Sequence, residues 1–423
     1  MGLIHEVKFP VWYEVKTYSR LHKTITFNLG VIFLTLARNH SRADNEPTLI
    51  PHLYVHVPFC PTICPYCDFH VLERRAGLVE LYLTELRTDA RALSEQYGGT
   101  ELKTLYVGGG TPSFLRDHEL EQLASIIRGS FGWANLEATL EVNPGTVSAS
   151  RAKLWRDLGF TRASVGVQST QNSVLKFLGR THDARQALSA LETLLEVGFH
   201  VSADAITAVP DQDVEKDLRT LGALGLEHIS CYTLTIEEGT AFFKAGVKVR
   251  SEDEERSLEL AESVLAEFGL NRYEVSNHAK PGFESLHNIA YWHNRFYFGL
   301  GAGAAGHYPN LEFEAQDLPL ESQVIAYRRT NPHLSNWLNG ERGDIEPVTR
   351  ESFVTDALFS GLRLLKGVNL EDISNRAGLN ARDFFAPQFE KLIGQGLLEF
   401  EGDSVRASSN GLWVLNQVIS EFL

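Results

Sequence analysis

The stretch YVHVPFCPTICPYCDFH, residues 54–70, places Cys60, Cys64 and Cys67, three of the four cysteines in the chain, on one short loop. The spacing C-x3-C-x2-C offers three thiols and no fourth. A structural zinc ion closes a tetrahedron with four ligands, usually as two pairs far apart in sequence. Here His56, His70 or the distant Cys231 would have to complete the set. Three thiolates on one loop also suit three irons of a [4Fe–4S] cube. The fourth iron is then open to chelate a small ligand through an amino and a carboxylate group, which accounts for the absent cysteine.

Working outward, a chain of 423 residues can form two or three structural units, and its 43% hydrophobic and 22% charged content is ordinary for a soluble globular protein. A net charge of -15 argues against a sequence-independent grip on nucleic-acid phosphates. Crowded thiols in a cysteine-poor chain indicate a metal or redox site in a reducing compartment. The protein therefore reads as cytoplasmic, with transient membrane contact at most. Residues 1–49 have a different character. Their apolar run 27–37 is about half the length of a membrane span, and no A-x-A cleavage site follows it. They read as an atypical, dispensable N-terminal extension, with a transit peptide, a family-specific addition or a misplaced start as alternatives; Met1 is the only methionine.

From residue 53 a beat appears. Apolar runs at 53–57, 102–109, 136–142, 162–168, 200–209 and 228–234 alternate with helix-like stretches at 76–98, 117–130, 147–157, 183–197 and 212–224. Alternation near the length of a βαβ unit predicts a parallel sheet. Six units between residues 50 and 240 predict an α/β fold, a partial (βα)6 TIM-like barrel. After about residue 340 the texture becomes helices followed by a short hairpin, which predicts a small winged-helix-like α+β domain over 346–423. Its acidic residues Glu351, Asp356, Glu371, Asp372, Asp383 and Glu390 argue against DNA binding, and favour a packing or docking module.

Polar residues recur where the strands should end. In YVGGGTPS, Gly108, Gly109 and Gly110 free the backbone to approach a ligand, where exposed amides can grip a carboxylate or pair with an amine. Glu141, Gln168 and Asp204 follow at intervals of about 30 residues, one per βα unit, as residues lining a barrel mouth do. Each alone reads as a cap or loop residue; the series reads as a lined site. Segment 273–308 holds His278, His287, His293 and His307 among aromatic residues. A porphyrin wants aromatic faces, an axial imidazole and cations for its propionates; Arg272 and Arg295 are the candidates for the last. The plainer reading is a buried aromatic strand pair with satisfied histidines. Gly301, Gly303 and Gly306 fit G-x-G-x-x-G, but a lone match outside a βαβ unit is weak. Cys231, in a predicted buried strand, reads as a small hydrophobe.

The C-x3-C-x2-C motif, with Tyr66 before its last cysteine, resembles the signature of radical S-adenosylmethionine (SAM) proteins. The flanks Y-x-H-x-P-F-C and YCDF are similar to those of the coproporphyrinogen dehydrogenase branch, and within it to the HemW-type haem chaperones, from about residue 50 to the C-terminus. The resemblance implies a radical SAM partial barrel over 50–285, a segment over 286–345 packing on it, and the winged-helix-like domain beyond. It implies a [4Fe–4S] cluster on Cys60, Cys64 and Cys67. It also implies SAM contacts from Tyr54, Tyr66, Gly109, Gly110, Thr111, Glu141, Gln168, Arg180 and Asp204. HNIAYW at 287–292 matches the family's HNxxYW and makes His287 a candidate haem contact. Two departures stand out. AITAVPDQ at 205–212 replaces the usual LIYGLPGQ, losing two glycines while keeping Pro210 and Gln212, and Ala305 stands where the family's GAGAH loop has histidine. Two functions are implied. One is a haem chaperone whose partners are haem, acceptor apoproteins and a reductant such as flavodoxin or ferredoxin; the other is an oxygen-independent coproporphyrinogen III dehydrogenase. The dehydrogenases typically carry C-G-C where this chain reads CDFH, which favours the chaperone.

Overall fold

The computed structural model describes residues 50–98, 101–311 and 318–423, together with the backbone of a two-stranded hairpin, Ile4–Phe9 with Tyr13–Tyr18. The apolar run 27–37 lies outside the described residues. Six strands, β1 (His52–Val57), β2 (Thr104–Gly109), β3 (Glu137–Val142), β4 (Arg162–Gln168), β5 (His200–Thr207) and β6 (His228–Thr233), pair in parallel and in chain order. This is the α/β partial barrel the alternation predicts. The sheet continues at both edges. Asn277–Ala279 runs antiparallel to β6, and Phe298–Leu300 runs parallel to β1. The predicted helices appear at Leu78–Tyr97, Asp117–Phe131, Ala149–Asp157, Ala184–Glu196 and Val214–Gly222.

Side chains alternate across a strand, so each strand has an outward and an inward face. Leu105 and Val107, Leu140 and Val142, Ala163 and Val165, and Ala203 and Ala205 join one apolar core shared with the helices. Burying each such aliphatic side chain contributes about 1.5–3 kcal/mol for the larger ones. The opposite positions carry Thr104, Tyr106, Thr139, Glu141, Ser164 and Asp204, so the barrel interior is polar. Cys231 belongs to the apolar core, as a small hydrophobe should, and is therefore not a fourth ligand for the cysteine loop.

A short helix, Leu286–Trp292, closes the base of the barrel at the amino ends of the strands. The Glu137 carboxylate caps it, accepting from the backbone amides of Leu286 and His287 at 3.1 and 3.0 Å; an anion at a helix N-terminus is stabilising. A second core, including Phe353, Leu358, Phe389, Val405 and Val418, sits in the C-terminal helices and the three-stranded sheet of Val368–Asn369, Leu398–Glu401 and Ser404–Ala407. Ion pairs tie the segment between the two cores to the helix Leu78–Tyr97: Arg329 to Asp89 at 2.9 Å and Arg342 to Glu85 at 2.6 Å. No helix among the described residues is long and apolar enough to cross a membrane.

Candidate functional site

The cysteine loop is a closed excursion from the carboxyl end of β1. Phe59–Cys60 pairs in parallel with Leu72–Glu73, which staples the loop at its neck. Inside it, the Cys67 amide donates to the Cys64 carbonyl at 3.1 Å. Pro65 rests on Gly179, where an added Cβ would approach the proline ring to 2.6 Å. The loop is thereby held over the mouth of the barrel. Cys60, Cys64, Tyr66 and Cys67 face the ends of the neighbouring strands across a narrow cavity.

Of the predicted site residues, Gly109, Gly110, Thr111, Glu141, Gln168, Arg180 and Asp204 line the same cavity as the three cysteines and Tyr66. Tyr54 lines an adjoining larger cavity of about 800 Å³ that also reaches Tyr66, Cys67, Gly109 and Glu141. Its hydroxyl is 2.8 Å from Nδ1 of His56. His56, in turn, donates from Nε2 to the His70 carbonyl at 2.9 Å.

Local structure explains why these residue types stand here. Glu141 accepts from the Tyr106 hydroxyl at 2.8 Å and from the Gly109 amide at 2.9 Å. Gly109 has φ +106°, and a Cβ on it would lie 2.5 Å from the His56 ring, so only glycine fits. The expectation of exposed amides in the glycine run is corrected. Gly109 donates to Glu141, Gly110 to the Val57 carbonyl and Thr111 to the Phe59 carbonyl, so these groups hold the turn instead of offering free donors. Asp204 accepts from Ser164 at 2.9 Å. Burial pushes the Asp204 carboxyl up to about 6. Burial likewise raises Glu141 to about 7, with the Asp204 charge adding to it and the Tyr106 and Gly109 hydrogen bonds opposing it. Burial pushes the Cys60 thiol up to about 11 and that of Cys67 to about 12. Arg180 brings a cation to the loop, with Nη1 3.5 Å from the Cys64 sulfur and Nη2 donating to the Gly166 carbonyl at 2.9 Å.

Two buried atoms in this cavity lack protein partners: Oε1 of Gln168 and Nε of Arg180. Gln168 also sits in the left-handed region at φ 66°, where the β4–β5 ladder shifts register. Buried polar groups are normally satisfied, and strained backbone concentrates at functional sites. Both features fit a polar ligand lying between the cysteine loop and β4.

The histidine-rich segment divides differently from expectation. His287 is fully buried at the base of the barrel, with Nδ1 2.7 Å from the Thr104 hydroxyl and Nε2 2.9 Å from the Tyr291 hydroxyl. Both ring nitrogens are engaged, so the expected haem contact is corrected: His287 is a structural residue, and the plainer reading of satisfied histidines holds for it. Arg272 pairs with Glu262 at 3.4 Å and Arg295 with Asp372 at 3.2 Å; neither lines the mouth cavities, and neither can serve a ligand there. Gly301 and Gly303 form the turn between Phe298–Leu300 and Ala305–Pro309, with no helix after it, as the dismissal of a dinucleotide fingerprint requires. Sequence reading missed Tyr232 and His333 in the wall of the larger cavity, and weighed His70 only as a zinc ligand.

A thiol-bearing loop stapled over the mouth of a partial (βα)6 barrel defines a radical SAM protein. Residues 54–221 match the Radical SAM superfamily and residues 348–414 the HemN C-terminal domain. Over 380 residues the chain is 33% identical to the heme chaperone HemW of Lactococcus lactis, covering 88% of this chain and 96% of that protein. It is 32% identical over 386 residues to the heme chaperone HemW of Escherichia coli, covering 88% and 97%. The chain belongs to the HemW family. The solved structure of coproporphyrinogen III oxidase (HemN) from Escherichia coli shares the fold, with a TM-score of 0.73 at 19% identity over 89% of this chain and 91% of that one. Superfamily membership implies a [4Fe–4S] cluster and SAM. The donor set fits: three thiols on one loop, a cation against one sulfur, and orphaned polar atoms opposite.

Proposed function

We propose that this chain is a haem chaperone that binds haem at the mouth of its barrel and passes it to acceptor proteins. The observation that carries the reading is similarity to the HemW relatives over 88% of this chain, together with CDFH at the end of the cysteine loop, where Asp68, Phe69 and His70 face the larger cavity. Cys60, Cys64 and Cys67 would hold the cluster. Tyr66, Gly109, Gly110, Thr111, Glu141, Gln168, Arg180 and Asp204 would hold SAM, with Tyr54 at the edge of its site. When bound, the cluster with SAM at its open iron supplies one-electron chemistry.

The chain's own contribution is positioning and charge. Arg180 offsets the negative charge of thiolates that burial otherwise disfavours. Glu141 and Asp204 are carboxyls in a desolvated wall, suited to receive a cationic ligand that restores their charged forms. Gln168 and Arg180 supply the unpartnered acceptor and donor. In the cell, haem, apoprotein acceptors and a flavodoxin- or ferredoxin-like reductant would be the partners, in the cytoplasm.

The test is a Soret titration of haem into anaerobically reconstituted protein, run beside an assay for conversion of coproporphyrinogen III with SAM and a strong reductant. Haem bound near one per chain without conversion is the expected result. Turnover of coproporphyrinogen III would replace the chaperone reading with the dehydrogenase.

A further inference from the structure

The larger cavity, about 800 Å³, has an uneven chemistry. Phe69, Ile206, Tyr232 and Leu234 give it apolar and aromatic walls. Its charged residues are Asp68, Glu141, Glu237, Glu341 and Asp344, and among the described residues no lysine or arginine lines it. Three histidines line it, and one of them, His56, is committed at both ring nitrogens to Tyr54 and to the His70 carbonyl. The other two meet across the join between the cysteine loop and the segment after Val324–Thr330. The rings of His70 and His333 have centroids 3.6 Å apart, tilted by 40°. The Gly-rich turn makes room for this pair: a Cβ at Gly303, which has φ +78°, would lie 2.8 Å from the His70 ring. His333 is exposed to the cavity, whereas His70 is half-buried behind it.

We propose that the His70–His333 pair is the axial-ligand station for haem in this cavity, with His333 binding the iron and His70 stacking against its ring to orient it. The proposal rests on the haem-chaperone reading and says where and how the cargo is held. Ferric or ferrous porphyrin iron takes a neutral imidazole as an axial ligand, and the aromatic walls suit its faces. The acidic lining adds an orientation. The carboxylates of Glu341 and Asp344 in the lining would repel two propionates, so the apolar edge enters and the propionates stay in solvent. A cargo held in this way presents its charged edge to an acceptor.

The test uses full-length protein carrying its cluster, with haem as the probe. Wild type is titrated first by Soret absorbance; if it binds no haem, the chaperone reading itself fails and this assignment falls with it. Given binding, His333→Ala should lose the imidazole-ligated spectrum and weaken affinity at least about tenfold. Free imidazole should restore the spectrum, because it re-enters the vacated space. His333→Tyr should bind haem with a phenolate-type spectrum, a gain that a misfolded variant would not show. His70→Ala should weaken binding less and leave the ligand type unchanged. Wild-type spectrum and affinity in both His333 variants would overturn the assignment while leaving haem binding intact.

Discussion

The base of the barrel and its mouth both bury polar side chains, yet the histidine at the base and the glutamine at the mouth are held differently. At the base, His287 has a partner at each ring nitrogen and Glu137 accepts from two helix amides, while Asn288 Oδ1 on the same helix has none. At the mouth, Gln168 Oε1 and Arg180 Nε have none, and Gln168 holds a left-handed backbone. An unmet buried donor or acceptor costs about 1–3 kcal/mol. Leaving two of them around a thiol loop makes sense when a ligand completes them. The contrast teaches that a conspicuous histidine motif can be a closure, while an ordinary glutamine marks the site.

The largest expected effect falls on the mouth. Replacing Cys60, Cys64 and Cys67 together by Ala should abolish the brown colour of anaerobically purified protein and reduce iron and acid-labile sulfide to background. The base has no part in this, so the variant should keep its far-UV circular dichroism. A full iron and sulfide complement in the triple variant would end the cluster assignment and the comparison with it.

Next comes pH, where the two regions carry opposite signs. Burial raises Asp204 to about 6 and Glu141 to about 7 in the folded chain, above the carboxyl range of about 4 in the unfolded chain. The folded chain therefore holds protons that the unfolded one has released. Their stabilising contribution is complete below about pH 4 and is lost as pH rises through 6 to 7. The base behaves inversely. Burial lowers His52 to about 4 and also lowers His287, so their contribution is present above the unfolded value of about 6.5 and lost as pH falls. Cluster-free Glu141→Gln/Asp204→Asn should gain on wild type between pH 4 and 8 by on the order of 3 kcal/mol. Urea denaturation at several pH values reads this directly. A difference that is flat or shrinks as pH rises would contradict the desolvated-carboxyl account.

At the base itself, His287→Ala leaves the Thr104 and Tyr291 hydroxyls without their partner and opens a small cavity. It should cost about 2–3 kcal/mol at neutral pH. The loss should shrink below about pH 6, because the variant no longer has a histidine to protonate on unfolding. The haem spectrum of the folded fraction should be unchanged. A variant of native stability with an altered Soret band would return His287 to the binding site.

This outcome marks where sequence reading succeeded and where it stopped. The six strands and the helices between them were legible because each strand is a short apolar run and each helix a longer amphipathic one; 162–168 matches β4 residue for residue. The cysteine loop and the polar strand ends were legible as spacing. HNxxYW misled because its chemistry suggests ligation while its geometry is local. His287 and Tyr291 are one helical turn apart and bond each other, as i, i+4 residues can. The alternation of Thr104 with Tyr106 and of Ser202 with Asp204 carried the polar interior, and could have placed His287 among inward hydroxyls. His70 against His333 could not be read, since 263 residues of chain separate rings that only the fold brings together.

The smallest effect sharpens the comparison within one loop of the mouth. Where the family pattern has two glycines, this chain has Ala208 and Asp211, and both keep a left-handed backbone at φ 58° and 62°. Gln212 holds the loop in that shape, accepting from the Val209 amide at 3.1 Å and donating to the Ile206 carbonyl at 2.8 Å. Left-handed backbone costs a non-glycine residue about 1–2 kcal/mol, while glycine returns about 0.4–1 kcal/mol through the unfolded chain. Ala208→Gly should therefore stabilise the protein by about 0.5 kcal/mol, and Asp211→Gly by less, since aspartate tolerates this region better. Ala205, three residues earlier in β5, is the control. There the backbone is extended, and Ala205→Gly should destabilise by about 0.5–1 kcal/mol. Thermal melts of the three variants decide it: opposite signs at 208 and 205 mean that the loop has kept a glycine shape without its glycines, and equal losses mean that it has not.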